Sequence, residues 1–232
     1  GMNDEALKTF DRYARTLGYT EDVWLTYADV LVDAQEWEKL RGVALQMRAM
    51  PRFRKTLDAL SRYYEGRADL GSGRTNAAST AFEQAATANF VDLTQAYDTA
   101  KSLLALGYPQ HAKTLIEKIE MPDGTDRTNR MRVLNLEFEV GMALQDEAVI
   151  VRAARAAHAL DPRNIILSHR YAAALLIEGK NPDEAIRFTR DLRDQFPSSR
   201  AALLNQAYAL LLSRRPDEAE GQLKALDPAS LG

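Results

Sequence analysis

Two pairs of side chains carry the plainest chemical suggestion in this sequence. Tyr63 is followed by Arg67 and Tyr97 by Lys101, and the second pair lies 34 residues after the first. In a helix, a separation of four places a phenol and a cation one turn apart on the same face. Such a face suits an extended peptide, for instance an acidic one or a chain-terminal carboxylate. Asp29 and Asp33 repeat the spacing with the opposite charge. Ordinary solvated helix faces carry the same residue types, so that alternative stays open at this level.

Catalysis finds less support. His111, His158 and His169 are scattered, with no His-x3-His pair and no cysteine to complete a metal site. They read as surface or packing residues, and no metal or other cofactor is expected. The glycines of DLGSGRTN (69–76) follow a helical pattern rather than a strand, and the Lys-Ser/Thr of a phosphate loop is absent. That segment reads as a turn between helices. RAMPRFRK (48–55) gathers Arg48, Arg52, Arg54 and Lys55, either to meet an acidic partner or as a solvated turn. No enzyme is expected.

Composition narrows the classes further. A chain of 232 residues, 46% hydrophobic and 27% charged, is globular and long enough for one large domain or two small ones. Before Met121 there are 15 basic and 17 acidic residues, and from there on 15 and 16. Neither half has the concentrated positive charge that nucleic acid requires. No run approaches the roughly 18 apolar residues of a membrane span, so direct membrane insertion is not expected. Absence of cysteine excludes disulfides and fits the cytosol and the bacterial periplasm equally. GMNDEALKTF lacks the apolar core of a signal peptide. Gly1 reads as a cloning remnant, leaving the natural start at Met2 or upstream.

The elements that must position these residues are helical. Prolines and glycines fall between runs of about 12–17 residues rich in Ala, Leu, Arg, Glu and Gln. VLNLEFEV (133–140) alternates with period two, yet Met131, Leu134, Phe138 and Met142 keep helical spacing, and a lone strand would leave its backbone unpaired. It is read as helix. NPDEAIRF (181–188) and RPDEAEGQ (215–222) share Pro-Asp-Glu-Ala, which puts Ala185 and Ala219 34 residues apart. Asn181 serves as N-cap, Pro182 as first helical residue, and Asp183 and Glu184 favour the positive helix end. Small residues followed four later by larger ones recur, as in Ala78/Phe82 and Ala112/Ile116. A period of 34–35 residues holding two helices marks a helical-hairpin solenoid.

The hairpins resemble tetratricopeptide repeats, whose pattern is Trp-x2-Leu-Gly-x2-Tyr, then Ala-x3-Phe and a closing Pro. Trp24, Tyr27, Ala28 and Leu31 fit its first helix, and Pro51 closes that unit, with Leu40 and Ala44 in place of its Ala and Phe. Gly66, Ala78, Phe82 and Ala85 fit a second unit; Tyr171, Ala172, Ala185 and Pro197 fit a fifth. The expected fold is all-α: a right-handed α-solenoid forming one domain over 1–232. Its repeats span about 21–53, 54–88, 91–121, 129–162, 165–198 and 200–231, after a half-repeat at 3–17. MPDGTDRT (121–128) reads as a hinge. In the fourth unit QDEA is out of phase, so that Ile150 takes the small-residue position.

The resemblance implies that first helices line a concave groove. Tyr63, Arg67, Tyr97, Lys101, Asp29, Asp33, Asn135, Glu139, His169, Asn205 and Tyr208 are its candidate contacts. The terminal-carboxylate clamp of some such proteins is not expected, because only Asn205 matches it, and His169 and Ala173 occupy the positions before. The expected function is a scaffold for a protein or peptide partner. The alternative is a structural spacer or self-associating segment of a longer, for instance cell-envelope, protein, meeting its copies through the C-terminal repeat. Repeat RNA binders share the period but not the near-neutral charge.

Overall fold

The computed structural model describes residues 5, 8, 9, 12, 20–53, 55–119, 121 and 124–224. The half-repeat expected at 3–17 and the close of the last repeat beyond Lys224 lie largely or wholly outside them. Among the described residues all regular elements are helical. The chain divides into two compact units, Gly1–Glu120 and Met121–Gly232.

The first unit holds α1 (Glu21–Asp33), α2 (Trp37–Ala49), α3 (Asp58–Gly71), α4 (Thr75–Thr87), α5 (Leu93–Ala105) and α6 (Pro109–Glu117), with a 3-10 turn at Pro51–Phe53. The second holds α7 (Arg127–Leu144), α8 (Glu147–Leu160), α9 (Ile165–Glu178), α10 (Pro182–Gln195), α11 (Arg200–Leu212) and α12 (Pro216–Lys224). Consecutive helices pair as hairpins. Hairpins then stack like on like: α1 meets α3, α4 meets α6, and α9 meets α11. The alternating VLNLEFEV segment lies inside α7.

Each hairpin turns on one left-handed residue: Gln35, Gly73, Gly107, Gln145, Gly179 and Arg214, with φ between 55° and 84°. In five of them the next amide bonds back to the carbonyl five residues earlier, as in Arg74 N to Asp69 O at 2.8 Å and Asp146 N to Gly141 O at 2.9 Å. This closure satisfies carbonyls left orphaned at the helix end. Two of the second helices, α8 and α10, then restart on side-chain caps. Asp146 accepts from Val149 N, and Asn181 accepts from Glu184 N just before Pro182. First helices begin similarly at Asp92, Asp126, Asn164 and Ser199.

Five residues beyond the left-handed position lie Leu40, Ala78, Ala112, Ile150 and Ala219, all buried. Ala185 fills the corresponding place in α10. Small residues here bring second helices close to their partners. Two glycines permit close approaches: an added Cβ would come within 2.3 Å of the Trp37 ring at Gly71 and within 2.5 Å of the Phe82 ring at Gly66. Phe82 is fully buried and meets Tyr108 edge-on at 4.8 Å. In the second unit Leu175, Leu176, Ala185, Ile186 and Ala209 form one core cluster, against which Tyr171 and Phe188 pack.

A polar lock joins the first two hairpins. The buried Asp69 accepts from Arg74 Nε at 2.9 Å and faces Arg41 at 3.6 Å, while Arg74 also reaches Glu38 at 3.1 Å. Both Asp69 and Arg74 belong to the hairpin of α3 and α4, whereas Arg41 and Glu38 lie on α2.

Candidate functional site

The left-handed turn residues give a common ruler for the expected contact residues. Asp29, Arg67, Lys101, Glu139 and Tyr208 all lie six positions before their turn, and Tyr63, Tyr97, Asn135 and His169 lie ten before. On this ruler Asp29 is the counterpart of Arg67, and Leu25 that of Tyr63. Asp33 sits one turn further along α1 and is exposed. Asn205, nine before its turn, is half-buried.

In the first unit several of these residues converge. On α3, adjacent side chains reach opposite neighbours, because successive helical residues point about 100° apart. Tyr64 donates its hydroxyl proton to Asp29 Oδ1 on α1 at 2.7 Å. Tyr63, only 7% exposed, shares a hydrogen bond of 2.6 Å with Ser102 on α5. Arg67 donates to the Tyr63 hydroxyl at 2.8 Å and to Ser102 Oγ at 3.4 Å, with its guanidinium 5.9 Å from the Tyr63 ring centre. Tyr97 is half-buried, and Lys101 is exposed on the same helix.

Between these helices lies a cleft of about 240 Å³. Its walls are Leu25 and Asp29 from α1, Leu60, Tyr63 and Tyr64 from α3, and Gln95, Asp98 and Thr99 from α5. Although Asp29 is exposed as a residue, partial desolvation raises its pKa above the usual carboxylate range. The Tyr64 hydrogen bond opposes that rise, Asp33 adds to it, and Arg67 opposes it again. Tyr64 is held firmly neutral, first by burial and then by the Asp29 charge.

The second unit places its candidates apart. Asn135 accepts from Arg170 at 2.8 Å, and that guanidinium lies 4.6 Å above the Phe138 ring. Glu139 is exposed. His169 Nε2 lies 3.1 Å from Ser199 Oγ, and desolvation lowers its pKa. Tyr208 is 52% exposed beside Leu204, Leu211 and Leu212 on α11. His158 stacks on Tyr171 with ring centres 4.9 Å apart. Among the described residues no group of three or more His, Cys, Asp or Glu is arranged to hold a metal, and no helix is long and apolar enough to cross a membrane.

Sequence reasoning missed Tyr64, Asp98, Leu25 and Leu60. Their signal is the turn ruler, which places Tyr64 and Asp98 both nine before their turns. It also missed a larger hollow of about 640 Å³ along α8 and the end of α9, lined by Ala148, Val151, Ala156 and Ala159. Charges at that rim are mutually paired: Arg152 with Glu137, and Arg155 and Lys180 with Glu178.

Comparison with known proteins agrees with this architecture. The fold resembles the crystal structure of the C-terminal part of a TPR repeat-containing protein from Cytophaga hutchinsonii, with a TM-score of 0.55 and 14% identity over 97% of this chain and 91% of that one. No protein-family model and no curated protein sequence matches the chain. The chain thus has a tetratricopeptide-like fold of stacked helical hairpins.

Proposed function

We propose that the protein is an interaction scaffold that binds a peptide or partner helix along the first-helix face of its N-terminal unit. The observation carrying this reading is the cleft among α1, α3 and α5, where three successive hairpins contribute aromatic and polar side chains to one surface. Concave sites with apolar walls and a few placed polar groups are the usual form of a binding surface. Peptide selection against the whole chain tests it. Selected peptides should lose binding to Tyr97→Ala with Lys101→Ala, at unchanged helicity, and should keep it when Glu147 or Arg152 on α8 is changed. Binding indifferent to the first-helix pair would overturn the reading.

Self-association is the second reading, favoured by the apolar face of α11, where Leu204, Tyr208, Leu211 and Leu212 are all more than 40% exposed. Sedimentation at rising concentration separates the two: a dimer that Leu211→Glu dissolves supports self-association, and a monomer throughout rejects it.

A further inference from the structure

We infer that the first-helix face of the second unit, across α7, α9 and α11, is a separate docking surface that receives an amphipathic helix of a partner protein. It is distinct from the N-terminal surface proposed above and of different chemistry.

Position is the first argument. Residues 13, 10, 6, 3 and 2 places before each left-handed turn share one helix face, because steps of three and four return to the same side. Eleven large apolar side chains are exposed among the described residues, and seven of them occupy this face in the second unit. Four are the α11 residues already named; the others are Ile166 and Ile177 of α9 and Met142 of α7. None occupies it in the first unit, where Asp22, Asp29 and Asp33 of α1, Arg67 of α3 and Lys101 of α5 stand at those places. The three faces adjoin: α9 packs on α11, and Arg170 of α9 reaches Asn135 and the Phe138 ring on α7. Exposed apolar residues gathered in this way mark an interaction surface.

The polar groups decide what covers it. On α9 and α11 this face offers only His169, already hydrogen-bonded to Ser199, and the Tyr208 hydroxyl. An extended peptide pressed against it would leave backbone amides and carbonyls unpaired, whereas a helix pairs its own. Ala173 lies between Glu139 of α7 and Tyr208 of α11 at the same place on the ruler, so the middle of the face has room for a bulky side chain. Neighbouring helix axes lie about 8–10 Å apart, which puts α11 roughly 16–20 Å from α7, the length of about 11–13 helical residues.

Charge sets the flank of that helix. Glu139 is exposed and makes no hydrogen bond or ion pair among the described residues, whereas Arg132, the other charged residue on this face, is partnered. Arg170, at its edge, is committed to Asn135 and Phe138. One uncompensated negative charge therefore stands at the α7 side, and it favours a helix with Lys or Arg beside its apolar stripe. Two copies of the chain meeting through this face would bring no free cation of the face to Glu139, so a different protein fits better than a second copy.

A displayed single-helix scaffold with one face randomised tests the inference. It is selected on the whole chain carrying Tyr97→Ala with Lys101→Ala, so that the N-terminal surface does not compete. Recovered helices should carry apolar residues at i, i+3 or i+4, and i+7, with Lys or Arg at one edge. Their affinity should fall about tenfold or more on Ile177→Glu and on Tyr208→Glu, two exposed positions on different helices, with circular dichroism checking the fold. Glu139→Lys should invert the flank preference of matched helices from Lys to Glu, by about two- to fivefold. Recovery of no helix, or of helices indifferent to Ile177 and Tyr208, overturns the inference. A dimer that Ile177→Glu dissolves assigns the face to a second copy, and binding to phosphatidylcholine vesicles that Tyr208→Glu abolishes assigns it to lipid; either result overturns it too. The N-terminal reading, tested through Tyr97 and Lys101, is untouched by all of these outcomes.

Discussion

Tyr64 of α3 donates a 2.7 Å hydrogen bond to Asp29 of α1, tying the second hairpin to the first at the wall of the candidate cleft. The acceptor is partly desolvated, which raises its pKa above the ordinary carboxylate value. For an acid so shifted, the folded state binds more protons than the unfolded one between the two pKa values, so stability falls as pH rises through that window. Asp29 therefore costs stability at neutral pH.

Asp29→Asn removes this cost while keeping an acceptor for Tyr64. The variant should melt no lower than the parent at pH 7, and its advantage should shrink as pH falls towards 3.8. Thermal melts at both ends of that range check the sign. A variant less stable at pH 7 would show that the Tyr64 bond to the charged carboxylate outweighs desolvation.

Gly66→Ala places a Cβ within 2.5 Å of the Phe82 ring, which is fully enclosed and has no room to yield. Overpacking of this kind costs about 1–3 kcal/mol. Urea unfolding should show it as a lower midpoint, and Phe82→Leu in the same chain should recover part of the loss.

The turns offer a paired test. Gln145 holds φ 55° and Gly107 holds φ 84° at equivalent places. Left-handed backbone costs a residue with a Cβ about 1–2 kcal/mol, offset in part by the entropy of an added glycine. Gln145→Gly should therefore stabilise by about 0.5–1 kcal/mol, and Gly107→Ala should destabilise by about 1 kcal/mol or more. Denaturant midpoints of the two variants should move in opposite directions.

Asp69→Ala removes the acceptor that Arg74 and Arg41 share at the junction of α2 and α3. Both arginines remain partly solvated, which softens the penalty of a broken buried pair to about 1–3 kcal/mol. Hydrogen exchange should quicken in α2, on the far side of that lock, more than in α5.

The hairpins were legible because helix composition, Pro182 with its Asn181 cap, and small residues such as Ala78 and Ala219 all encode local structure. Individual contacts were less so. Spacing alone paired Asp29 and Asp33 with Tyr63 and Arg67, but the turns at Gln35 and Gly73 are 38 residues apart rather than 34. That extra turn shifts the register, making Asp29 the counterpart of Arg67. Tyr63 stood out in sequence and Tyr64 did not, since a rotation of about 100° decides which neighbour each reaches. Ser102, which fixes both Tyr63 and Arg67, belongs to no motif.

Amide shift mapping by NMR, with a selected peptide titrated into the whole chain, tests the central claim most directly. The account predicts saturable shifts concentrated in α1, α3 and α5, around Asp29, Tyr64 and Asp98. Shifts concentrated in α2, α4 and α6, or around Ala148, Val151 and Ala156 of α8, would contradict it.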